Sequence, residues 1–170
     1  MISVVQIGNN LVRLSATAGV LVRYKAQFGT DYIADAKAIY NEDKSFNAEQ
    51  FLMTGYRLLW TMAKIADGSI LPPDEWAVSL GEFDLEKALS AAQDLFGKSL
   101  GTEKNTADSE DRQPLTAESL IAYAAISKMT IADLDKLPLP MVLDSIEKYI
   151  HLKYGGKEER EAVQADYDNF

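Results

Sequence analysis

Between Asn47 and Asp67 the apolar residues Phe51, Leu52, Tyr56, Leu59, Trp60, Met62 and Ala63 cover more than half of a helical circumference. A helix that faces water on one side carries a stripe; one this apolar must be packed from several directions. The rest of the chain therefore has to wrap around it. Its start is marked three ways. Asn47 can cap it, Gln50 sits at the N3 position for a reciprocal bond, and Phe46 and Phe51 occupy the two positions of a hydrophobic staple. The Gly68 to Pro73 stretch ends it.

The flanking segments read as smaller elements. Ile2 to Gly8 alternates weakly and Leu11 to Leu14 is β-prone, with Asn9-Asn10 between them as a turn signal, so a hairpin is expected. Ala18 to Phe28 has helical spacing and stops at Gly29, a usual C′ residue. Thr30 or Asp31 can cap a further helix through Tyr40. Pro73-Asp74-Glu75-Trp76 reads as a helical first turn, with acids suited to the positive end. Asp84 starts another helix that closes around Gly97 to Gly101.

Thr102 to Pro114 (TEKNTADSEDRQP) holds one alanine and no larger apolar side chain, so it reads as a linker. As a random coil it would reach about 20 Å. A smaller helical module is expected over 115–154. Thr116 and Thr130 can cap its first two helices, with Leu115/Leu120 and Met129/Leu134 as staple pairs. Pro140 suits the N1 position of a last helix striped by Val142, Leu143, Ile146, Tyr149 and Ile150. Gly155-Gly156 then precedes a polar tail expected to lack a packed core. The fold class is mainly α: a helical body over 1–101 with a short N-terminal hairpin, a linker, and a small C-terminal helical module.

Composition narrows the chemistry. The 170 residues include no cysteine and one histidine, which excludes disulfides, structural zinc, iron–sulfur clusters and Cys/His nucleophilic catalysis within the chain. A formal charge of −9 repels phosphate backbones. The excess is uneven: residues 1–101 carry 9 basic and 12 acidic residues, residues 102–170 carry 8 and 14. No apolar run approaches the roughly 20 residues that span a bilayer, and no signal-peptide pattern opens the chain. An acidic cytosolic protein that works by binding is expected, with no nucleic-acid or membrane partner.

Carboxylates are the only catalytic raw material in quantity: Asp74/Glu75, Glu82/Asp84/Glu86, Asp133/Asp135 and Asp166/Asp168. Most stand at helix starts or in the tail, where capping and solvation explain them. His151 stands near a helix C-terminus with no second ligand type to join it. Gly55, Gly68 and Gly81 fit no phosphate-binding loop, and Asp108 to Asp111 lacks EF-hand spacing. The helix pair between Thr116 and Lys136 offers acids where a DNA-reading helix needs Arg, Lys, Asn or Gln. No enzyme activity, cofactor or metal is expected. Aromatics remain: Phe51, Tyr56, Trp60 and Trp76 in the body, where core packing competes with partner contact, and Tyr167 and Phe170 among acids in the tail.

Arg57-Leu58-Leu59-Trp60-Thr61-Met62-Ala63-Lys64 followed by Pro72-Pro73-Asp74-Glu75-Trp76 resembles the body of tail assembly chaperones of long, noncontractile-tailed phages and prophages of Gram-positive bacteria. Leu115-Thr116-Ala117-Glu118-Ser119-Leu120-Ile121, the Met141 to Tyr149 helix and the ending Gln164 to Phe170 (QADYDNF) are similar to that family's extension. The likeness spans nearly the whole chain; the first 45 residues match less clearly, and nothing is carried over there.

The resemblance implies a non-enzymatic protein made in a short form and a longer, frameshifted form. It implies a body that coats the helical tape measure protein, and an extension that recruits tail tube subunits around it. It also implies residence in the host cytoplasm and absence from the mature virion. Phe51, Tyr56, Trp60 and Trp76 are then candidate tape-measure contacts, where exposed, and Tyr167 and Phe170 candidate tube contacts. Self-association is open. Glu103-Lys104-Asn105 in the linker is compatible with GAA AAA AAC, a shift-prone run in frame. A virion component such as a head–tail connector or tail completion protein is the alternative.

Overall fold

A computed structural model describes residues 2–41, 43–100 and 115–154. The linker expected over 102–114 and the tail over 155–170, with Tyr167 and Phe170, lie outside the described residues. The architecture is mainly α, as expected.

Strands β1 (Ile2–Ile7) and β2 (Asn10–Ser15) pair antiparallel with Ile7 opposite Asn10, so the turn is Gly8-Asn9 rather than Asn9-Asn10. Gly8 has φ +57, the left-handed value that the first position of a two-residue hairpin turn demands, so glycine sets the register. One face of the hairpin buries Ile7, Val12 and Leu14 against the core.

Helix α1 (Gly19–Phe28) ends at Gly29, φ 76, whose N–H donates to the Lys25 carbonyl at 2.8 Å. The short helix α2 (Tyr32–Lys37) stops before Tyr40. Helix α3 (Ala48–Ala66) is central, as its circumference predicts: it packs on β2, α1 and α2 and on α5 (Leu85–Leu100). The Gln50 N–H donates to Asn47 Oδ1 at 3.0 Å, and the Phe46 and Phe51 rings stand 5.5 Å apart, so cap and staple both form. The reciprocal bond does not. Gln50 Nε2 instead donates to the Asp35 carbonyl and to Thr54 Oγ1, tying α2 to α3. Helix α4 (Pro73–Leu80) has Pro73 in its first turn, and Asp84 caps α5 by accepting from the Lys87 N–H.

Helices α6 (Ala117–Ile126), α7 (Ile131–Leu134) and α8 (Leu139–Tyr154) complete the chain as described. Thr116 and Thr130 form full capping boxes, with Ser119 and Asp133 returning the second bond. These helices do not stand apart from the body. Leu120, Leu134, Val142 and Ile146 belong to the same buried cluster as Val20, Leu58 and Leu89. The Ala18 N–H donates to the Leu137 carbonyl at 2.9 Å, and Arg23 pairs with Asp135 at 2.7 Å. Asp31 precedes α2 without capping it. Its carboxylate accepts from Lys25 and, at 3.0 Å, from the Ala117 N–H at the start of α6; Lys25 also pairs with Glu118. Burial alone would raise the Asp31 pKa, but the bonds from Lys25 and Ala117 outweigh it and hold the carboxyl below its ordinary value.

Candidate protein-binding surfaces

The two tryptophans singled out by sequence are core residues: Trp60 is 5% exposed and Trp76 4%. Trp60 Nε1 donates to the Leu71 carbonyl at 2.9 Å, and the Tyr56 hydroxyl donates to the Pro73 carbonyl at 2.5 Å. The Tyr56 and Trp76 rings lie 6.1 Å apart. The segment after α3 thus folds back over one face of that helix, and the side chains of Tyr56 and Trp60 hold it by its backbone. Burial and then the Asp74 charge push the Tyr56 phenol up to about 12, so it stays a donor at neutral pH. An indole whose N–H finds a carbonyl partner can be buried without penalty. Trp60 and Trp76 are therefore removed as contact residues, and Tyr56, half-buried, serves the same clasp. This is the structural content of the RLLWTMAK and PPDEW segments.

Ile2, Val4, Leu11, Leu71 and Val78 are exposed singly around the body, and a group of exposed apolar residues lies at the other end of α3. Leu52 and Met53 are exposed on its first two turns, and half-buried Phe51 packs at a tilt against Phe46, which meets Tyr40 edge-to-face at 6.0 Å. Tyr40 and Phe46 are 63% and 54% exposed, uncommon for aromatics outside a contact surface. The turn between them brings them together: Tyr40 and Phe46 form a β-bridge, Lys44 takes φ 65, and Asn41 bonds Ser45 through both backbone and side chain. Behind this ridge Asp35 accepts from Tyr24, Thr30 and Arg57, fixing α2 against α1 and α3. Burial and then Asp35 raise the Tyr24 pKa far above its ordinary value, so that hydroxyl too remains a donor.

A second surface is an open groove of about 1040 Å³ between α6 and α8, lined by Tyr123, Leu143, Ile146, Ile150, Leu152 and Tyr154 among others. Sequence periodicity assigned Leu143 and Ile150 to the buried stripe. The covered side chains of α8 are Leu139, Val142 and Ile146, and Leu143, Ile150, Leu152 and Tyr154 are left exposed. The signal was present: α8 carries more apolar circumference than one neighbour can cover. Asp144, Glu147, Lys148 and His151 also border the groove, and Lys153 Nζ sits 5.4 and 5.1 Å from the Tyr149 and Tyr154 ring centres.

Several carboxylates considered for acid–base chemistry hold structure together. Asp84 and Asp133 cap helices, and Asp135 pairs with Arg23. Among the described residues no group of three His, Cys, Asp or Glu side chains is placed to hold a metal ion, and no helix is long and apolar enough to cross a membrane. The chain matches no protein-family model, no curated protein and no solved structure.

Proposed function

We propose that the chain is a tail assembly chaperone of a long, noncontractile-tailed phage or prophage, in its long form. Its body holds the tape measure protein, and its C-terminal part recruits tail tube subunits. The observation that carries this is the aromatic ridge of Tyr40, Phe46 and Phe51, with Leu52 and Met53 exposed on the same turns of α3, on a helical body whose tryptophans are already spent on the core. A tape measure helix shows long apolar stripes until the tube encloses it. Rigid aromatics beside a methionine suit such a client, because they bury large area at little entropic cost and adapt to an irregular stripe. The net charge of −9 keeps many bound copies soluble. The resemblance of the sequence supplies the identity of the client, and the acidic, aromatic ending at Tyr167 and Phe170 the tube contact.

Co-expression with a tape measure segment tests the ridge. The variant Phe46→Ser/Leu52→Gln/Met53→Gln should leave that segment insoluble while its own circular dichroism stays that of the parent. A segment kept equally soluble by the variant removes the ridge from the interface. Deleting residues 157–170 should abolish co-purification with tube subunit; unchanged binding refutes the tail assignment. Finding the chain in purified particles by mass spectrometry would transfer the proposal to a virion component.

A further inference from the structure

We propose that residues 157–170 fold back along α8 and seat in the groove between α6 and α8. The described chain runs up to Tyr154, which itself borders the groove, so the next segment of the chain begins at its mouth. Gly155-Gly156 follows directly, and glycine readily takes the left-handed conformation that turns a chain back after a helix. Read as a helix, 157–170 opens with Glu158, Glu159 and Glu161, acids suited to a first turn. It then sets Val163, Tyr167 and Phe170 on one stripe, spaced four and three residues apart. Its 14 residues would measure about 21 Å, against about 18 Å of α8 from Leu143 to Tyr154. Segment and groove match in length.

Attachment selects this occupant. Leu143, Ile150, Leu152 and Tyr154 are exposed. The formal charges of α8 cancel, Asp144 and Glu147 against Lys148 and Lys153 with His151 neutral. Charge therefore neither draws a partner to this helix nor keeps one away, and apolar contact and local concentration decide what covers it. A segment joined through two glycines is present at an effective concentration on the order of millimolar, above that of any second copy or partner free at micromolar levels. Of the two long stretches outside the described residues, 101–114 has one alanine and no larger aliphatic or aromatic side chain. Only 157–170 brings a valine, a tyrosine and a phenylalanine, and its two rings cover a large apolar area while ordering few torsions. The seat does not rest on the chaperone reading. Under that reading, a tube subunit that takes Tyr167 and Phe170 would empty the groove.

The chain has no cysteine, so Asn169→Cys carries a single nitroxide spin label. In the isotope-labelled full chain that label should broaden away most of the Leu143 amide signal, and reducing the nitroxide should restore it. The broadening should persist on dilution, as an intramolecular contact does. Adding Tyr167→Ser/Phe170→Ser to the labelled chain should recover most of the lost signal. Neither substitution removes a residue of the buried core, and circular dichroism checks that the helices are kept. A Leu143 amide untouched by the label overturns the proposal. So does broadening that fades on dilution, which would give the groove to a second copy. Broadening that Tyr167→Ser/Phe170→Ser leaves unchanged would come from tethering alone, and that also overturns it.

Discussion

Replacing Gly19 with alanine sets two effects of opposite sign against each other. In a helical first turn, alanine in place of glycine stabilises by about 0.5–1 kcal/mol, because the unfolded chain has less freedom to lose. At Gly19 the added Cβ would stand 2.9 Å from Asp135 Cα and 3.0 Å from its backbone nitrogen. Those are backbone atoms and cannot swing aside, so α7 must retreat from α1. Overpacking of this kind costs about 1–3 kcal/mol. The retreat also strains the 2.9 Å bond from the Ala18 N–H to the Leu137 carbonyl, about 1 kcal/mol more. The Arg23–Asp135 pair adds little, since the Arg23 side chain is 52% exposed. The net is a loss of about 2 kcal/mol, which lowers Tm by roughly 4–8 °C in a domain of this size. Gly97→Ala is the control: among the described residues a Cβ there meets no heavy atom within 4 Å, so the overpacking cost is absent and the helical gain should raise Tm by a few degrees. Scanning calorimetry of both variants decides the matter. A Gly19→Ala protein more stable than the parent would show that α7 does not rest on α1, and that 115–154 does not share the core of the body.

Other expectations follow from the same contacts. Trp76→Ala should cost about 3–5 kcal/mol in urea denaturation, because it empties a buried site beside Tyr56; a change under about 1 kcal/mol would return Trp76 to the list of surface residues. Thr116→Ala should cost about 1 kcal/mol through loss of the capping box, read in the same assay. The carboxyl of Asp31 is held below its unfolded value, so the stability it contributes is present above about pH 3.9 and is lost as pH falls through the lower folded value. The Ala117 amide, which donates to it, should lose hydrogen-exchange protection in that window; protection unchanged down to about pH 2 would refute the latch between α2 and α6.

Where information is local, the sequence is a sufficient guide. Caps at Asn47, Thr116 and Thr130, the Phe46/Phe51 staple and the stop at Gly29 depend on residues a few positions apart, and the structure contains each of them. Gln50 and Asp31 are instructive exceptions. Both have the right local position for a cap, yet their polar atoms satisfy partners from another helix, the Asp35 carbonyl for one and the Ala117 N–H for the other. A local rule ranks partners within one turn and cannot weigh a donor 86 residues away.

The amphipathic periods of the chain were enough to establish a mainly helical protein with a short hairpin and a central α3, because spacing along the backbone dictates which residues share a face. Which apolar faces would stay open was settled only by packing. Trp60 disappears from the surface because residues 68–73 fold back over α3, Trp76 because α4 sets it beside Tyr56, and Leu143 and Ile150 remain on it because the body covers only one side of α8. Burial is a property of neighbours distant in sequence, so an exposed aromatic and a core aromatic have the same signature until the chain is folded.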